Sequence, residues 1–193
     1  MKYDSWLDTT DHIDNVRTLL REIEGNLYKR SRAHDQSKLQ SPEKEMFDEF
    51  TPKLRALTYG SPEYRQALVD MGPALQHHYM ENSHHPEHFK PVTEETDVEI
   101  GEINAYLEDL NKSDPAYGWL ESYRDELESR VNRMSLLDVL EMLADWKAAG
   151  MRHADGDFAK SLEINQARFK ISDQLQNVLI NTAQELLWIS SPG

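Results

Sequence analysis

Five of the chain's eight histidines, His77, His78, His84, His85 and His88, fall within the twelve residues HHYMENSHHPEH. Neutral imidazole binds divalent transition metals near pH 7, so a run this dense between two helical segments is a candidate place to hold an ion. The chain has no cysteine. Disulfides, iron–sulfur clusters, zinc-thiolate sites and cysteine nucleophiles are therefore excluded, and carboxylates must complete any metal shell. Two carboxylates stand out. Asp35 follows His34 directly, with Lys38 three residues later. An adjacent His and Asp can serve one ion from a single turn while the aspartate bridges to a second. Asp145 sits in LEMLADWKAA, the most apolar helical stretch of the chain. Unpartnered burial of that carboxylate would cost on the order of several kcal/mol, so it must face a cation or a hydrogen-bond network. Asp138 lies seven residues earlier on the same face, but its place three residues after Ser135 is explained by a capping box.

Helices must position these groups. From Thr10 to Tyr28 the residues Ile13, Val16, Leu19, Leu20, Ile23 and Leu27 recur at helical spacing, which predicts an amphipathic helix with His12 at its start on the inward side. Ser41-Pro42-Glu43 reads as an N-cap, a first-turn proline and a first-turn acid, starting a helix towards Leu57. After a turn at Tyr59-Gly60-Ser61-Pro62, Tyr64, Leu68, Met71 and Leu75 lead to the histidine cluster, and Pro86 and Pro91 stop that helix. Two helices are expected in the acidic stretch that follows, broken at Asn111–Pro115. Ser135 opens a central buried helix ending at Gly150 and the turn His153–Asp157. Phe158 to Leu187 forms one long or two shorter helices. No strand alternation, repeat or low-complexity tract is present, so the expected fold is all-α and the domain single across residues 1–193.

The chain carries a formal charge of −14, from 35 acidic against 21 basic residues. Such a balance disfavours a grip on a long nucleic acid, which needs clustered Lys and Arg. A small anion is still allowed where a metal inverts the local field. The N-terminal residues lack an apolar signal region, and no stretch reaches the roughly 18 apolar residues of a membrane helix, so a cytoplasmic protein with no membrane partner is expected.

His12, His34-Asp35 and Asp145, in that order, resemble the H…HD…D signature of the HD-domain superfamily of metal-dependent phosphohydrolases. HDQSKL is similar to the HDxxK form common there, and HHYMENSHHPEH resembles the extra histidines of two-metal members. The run from His12 to about Arg168 also resembles an uncharacterised HD-like family of bacteria and phages, with HDxSKL, HHPEH, DWKAA, RHxDGD and KSxEIN segments. Residues of about 97–133 look like an acidic helical insertion. The resemblance implies an HD-type helical bundle holding one or two divalent ions (Mn, Fe, Co, Ni or Mg). His12, His34, Asp35 and Asp145 would hold the first ion. Asp35 would bridge to a second held by His78 and by His84 or His85. The GYP sequence of the cyclic-dinucleotide branch is absent.

A bound ion would lower the pKa of water so that hydroxide is available to attack a phosphate near neutrality. The expected substrate is a small phosphorylated ligand, with a nucleotide the first choice. Lys38, Arg152 and Arg168 are candidates to hold phosphate oxygens. Glu87 and His88 are candidates to orient ligands or pass a proton to the leaving group. Two other readings share the ligand set: a non-catalytic accessory protein, possible in a phage, with a structural ion, and an HD-type di-iron oxygenase. Tyr117, Trp119 and Tyr123 are candidates for a homo-oligomer interface, although aromatics at such positions are more often local core.

Overall fold

A computed structural model of the chain describes residues 3–58, 61–89, 94–152 and 156–190, with side chains left undescribed at 94–97 and 115. The described residues form an all-α fold: α1 (Trp6–Ala33), α2 (Glu43–Arg55), α3 (Pro62–Asp70), α4 (Gly72–Glu81), α5 (Glu94–Asp109), α6 (Pro115–Glu128), α7 (Leu136–Gly150), α8 (Phe158–Phe169) and α9 (Asp173–Glu185). Short 3-10 turns follow α1 at Gln36–Leu39, α4 at Pro86–His88 and α6 at Arg130–Arg133. No described helix is long and apolar enough to cross a membrane. The turn residues Tyr59, Gly60 and His153–Asp155, and the stop at Pro91, lie outside the described residues.

Helix starts follow the local chemistry. Ser61 Oγ accepts from the Tyr64 amide ahead of α3, Asp157 from the Lys160 amide ahead of α8, and Ser172 from the Leu175 amide ahead of α9. The run expected to lead unbroken into the histidines is divided at Gly72, whose φ of 45° suits a residue without Cβ, and Pro73 then starts α4. The C-terminal stretch is likewise two helices. Lys170, at a φ of 50°, ends α8, and its N–H bonds the Gln166 carbonyl.

The main core gathers around α7. Val139, Met142, Leu143 and Trp146 pack against Phe158 and Leu162 of α8, Ile171, and Leu179 and Ala183 of α9. A smaller cluster joins Phe50 of α2 to Ala67 and Met71. Helices α5 and α6 pack on each other, and Lys170 ties the α6 end to the body through Asp125 and Glu128. Trp119 stacks on Tyr123 within this pair and stays exposed.

One expectation needs correction. Helix α1 runs well past Thr10–Tyr28 at both ends and buries none of its residues; Ile13, Val16, Leu19, Leu20 and Ile23 all face solvent. Its last turns alone are anchored, through Arg30, which donates to Glu141 Oε2 at 2.7 Å, to Ser83 Oγ at 3.1 Å and to Asp138.

Asp138 closes the expected capping box with Ser135, and it also accepts from Ser83 Oγ at 2.6 Å and from Arg30. Ser135→Ala should cost about 1 kcal/mol in urea unfolding, the worth of one cap. Asp138→Ala removes the cap and strands part of the Arg30 guanidinium, and should cost about 2–3 kcal/mol. Equal losses in the two variants would contradict a bracing role for Asp138.

Candidate metal centre

Four segments meet where α1 ends. The α1 helix stops at His34, whose backbone turns extended while its N–H still bonds the Arg30 carbonyl. Asp35 then takes a left-handed conformation (φ 57°, ψ 15°), a region that Asp tolerates better than most residues. That turn aims the Asp35 carboxylate towards α4 and α7. His78 arrives on α4, His84 and His85 in the turn after it, and Glu141 and Asp145 on one face of α7, four residues apart.

The Asp35 oxygens face two sets of donors. Oδ1 lies 3.4 Å from His78 Nε2 and 3.6 Å from His84 Nε2, and His78 Nε2 is 2.8 Å from His85 Nε2. One donor atom from each of Asp35, His78, His84 and His85 falls within 4.8 Å of the others. Oδ2 lies 3.6 Å from His34 Nε2, which is itself 3.6 Å from Asp145 Oδ1, and these three residues form a second such group. His34, His84 and Glu141 make a third.

The first group has the marks of a cation site. Among the described residues Asp35 Oδ1 and His84 Nε2 are buried without a hydrogen-bond partner, and the His78 and His85 nitrogens face each other. Orphaned buried polar atoms are costly, and a single cation among the four would satisfy all of them. Burial, with repulsion from Lys38, pushes His78 down to about 4. Burial and the neighbouring His84 and His78 push His85 down to about 2. Both rings are thus neutral at pH 7, the form that binds metal. Three imidazoles and a carboxylate suit a divalent transition ion, so the residues fit the group that the sequence implies.

The second group is more open and more strongly charged. The side chains of His34, Asp145 and Lys38 are 29%, 22% and 27% exposed. The Asp145 carboxylate, 3.6 Å from Nε2, and the Glu141 hydrogen bond at Nδ1 raise His34 to about 10. Burial opposes ionisation of Asp145, yet the nearby His34 ring prevails and holds it down to about 2. Lys38 Nζ rests on Asp35 Oδ2 at 2.5 Å, with the Phe47 ring beneath it.

A second layer fixes the rings. Glu141 Oε1 meets His34 Nδ1 at 2.9 Å and His84 Nδ1 at 3.1 Å, while its Oε2 is held by Arg30. Fully buried Glu43 meets His78 Nδ1 at 2.9 Å and His77 Nδ1 at 2.8 Å, and it accepts from Ser37 Oγ. Carboxylates on Nδ1 leave each Nε2 pointing inwards. Sequence reasoning missed both acids. Glu43 reads as a surface acid of a first turn, whereas Glu141 was detectable from its i+3 and i−4 spacing to Asp138 and Asp145.

The structure brings together His34, Asp35, His78, His84, His85, Asp145 and Lys38. It does not bring His12. That residue is exposed near the start of α1, and the same continuous helix separates it from His34 by roughly 33 Å. His88 is turned away, bonding the Tyr79 carbonyl at 3.1 Å. Glu87 pairs with Arg168 at 2.8 Å near Tyr79, whose ring lies 5.0 Å from that of His85. Arg152 is exposed just past α7. Both His84 and His85 reach the cluster because they lie in a turn, where the 100° step between helical neighbours does not apply.

The chain belongs to the family described as "Family of unknown function (DUF5662)", which matches residues 1–185. No curated protein and no solved structure matches it. The geometry itself sets a pH dependence. His34 stays protonated from its ordinary 6.5 up to about 10, so a cation taking Nε2 must displace that proton. Calorimetry of Mn2+ binding at pH 7 in buffers of different ionisation heat should show about one proton released from this residue, with affinity rising about tenfold per pH unit. Affinity independent of pH, with no proton released, would contradict the assignment of His34 as a ligand.

Proposed function

We propose that the chain is a metal-dependent phosphohydrolase of the HD type acting on a small phosphorylated substrate, with nucleotides the first class to test. One observation carries this reading: the two oxygens of Asp35 face two separate donor groups, one of them with orphaned buried atoms. A carboxylate between two such donor groups could serve a pair of divalent ions, a device recurrent in enzymes that hydrolyse phosphate esters.

Asp35, His78, His84 and His85 would hold one ion, and His34, Asp35 and Asp145 the other. The ions would supply Lewis acidity, lowering the pKa of a water and neutralising charge on phosphoryl oxygens. The protein groups do the rest. Glu141 and Glu43 fix the rings of His34, His84 and His78 so that three Nε2 atoms converge. Lys38, partly exposed beside Asp35, is placed to take a phosphate oxygen as a point charge. Arg168 and Glu87, paired beside Tyr79 and His85, supply a polar flank to which a sugar or phosphate could bond. His88 Nδ1 meets the Tyr79 carbonyl, which orients the ring and makes Nε2 the nitrogen that would pass a proton.

The exposure of His34, Asp145 and Lys38 supports catalysis over a purely structural ion, since structural sites are closed and catalytic ones keep an open position. The charge of −14 supports a small anion that enters one site over a polyanion that lies along a surface.

Metal content of untagged protein by mass spectrometry, followed by phosphate release from a nucleotide panel with Mn, Co, Mg and Fe, tests the proposal. One or two ions per chain with phosphate release is expected, and Asp35→Ala should lose both together. Metal without turnover on any phosphorylated compound would leave the accessory-protein reading, and iron-dependent uptake of dioxygen would replace hydrolysis with oxygenation.

A further inference from the structure

Helix α1 carries an apolar stripe with no partner among the described residues. Ile13, Val16, Leu20 and Ile23 are each 41–59% exposed, and Leu27 is half-buried where the helix reaches the body. Their spacing alternates three and four residues over two heptads, the pattern of a coiled-coil seam, with exposed Leu19 beside it at a g position. Most helical stability in proteins comes from packing of an apolar face, which α1 lacks along most of its length, and a contiguous exposed apolar face marks an interaction surface.

The charges beside the seam point to the occupant. With Ile13, Leu20 and Leu27 at heptad positions a and Val16 and Ile23 at positions d, the two flanking e positions are Arg17 and Glu24. These opposite charges stand symmetrically about the middle of the stripe. In an antiparallel pair a-residues face d-residues, and e-residues face e-residues. Setting Leu20 against Ile23 of a second copy, and Val16 against its Leu27, brings Arg17 opposite Glu24 of that copy. Two-fold symmetry makes the same pair again. Sliding one heptad either way opposes Arg17 to Arg17 or Glu24 to Glu24. A parallel pair would instead set Arg17 against His12 and Glu24 against Leu19 of the second copy, pairing neither charge with its opposite.

We infer that α1 is the dimerisation helix of this protein, pairing antiparallel with α1 of a second copy and fixed in register by two Arg17–Glu24 contacts. Within one chain Arg17 pairs with Asp14, but both side chains are more than half exposed, and such a pair holds Arg17 only weakly.

Light scattering on the full-length protein after size exclusion tests it. The expected mass is twice the 22.4 kDa of the chain. Arg17→Glu should weaken the dimer by at least about tenfold, since it sets Glu against Glu twice. Adding Glu24→Arg should restore it, with far-UV circular dichroism showing all three proteins folded. A monomer at every concentration, a dimer indifferent to Arg17→Glu, or a double variant that fails to recover would each overturn the proposal.

Discussion

A carboxylate oxygen buried against imidazole nitrogens and given no hydrogen bond is an unstable arrangement unless a cation completes it. Asp35 Oδ1 is in that position, and much of the surrounding fold serves to hold it there. The end of α1, the left-handed turn at Asp35, the break between α3 and α4 at Gly72 and the inward face of α7 all deliver donors to one small volume. The backbone is arranged for the site as much as for the apolar core.

The acids around the cluster explain how so many histidines can be packed together. Glu141 is shared between His34 and His84 and anchored by Arg30, which also reaches Asp138 at the α7 N-terminus. Glu43 plays the same part for His77 and His78. Each carboxylate takes an Nδ1 and so dictates which nitrogen is free, and each is stabilised by the ring it orients. Glu141 is held below the ordinary carboxylate range in spite of its burial, because His34 and His84 bond to it. The same contact therefore sets both ring geometry and charge state.

The helical class of the fold and the capping box at Ser135 were legible in residue types and spacing, whereas the grouping of His34, Asp35 and Asp145 with the later histidines came from the resemblance to the HD signature, which also placed His12 there. What was not legible depended on tertiary placement. Glu43 follows a serine and a proline at a helix start, where an acid ordinarily faces solvent, and only the approach of α4 buries it. His12 lies on the inward stripe by periodicity, but the helix continues unbroken to Ala33 and carries that residue away from the site. Periodicity says which face of a helix is apolar and not what covers it. For α1 the body covers only the last turns.

The central claim is that Asp35 is shared between two cation sites. Crystals grown with Mn2+ and measured on both sides of the manganese absorption edge would test it most directly. Two anomalous peaks are expected, one on each side of the Asp35 carboxylate, the first among His78, His84 and His85 and the second beside His34 and Asp145. Peaks only at surface carboxylates, or none at all in protein shown to be folded, would contradict the claim and leave the histidine cluster as a hydrogen-bonded core.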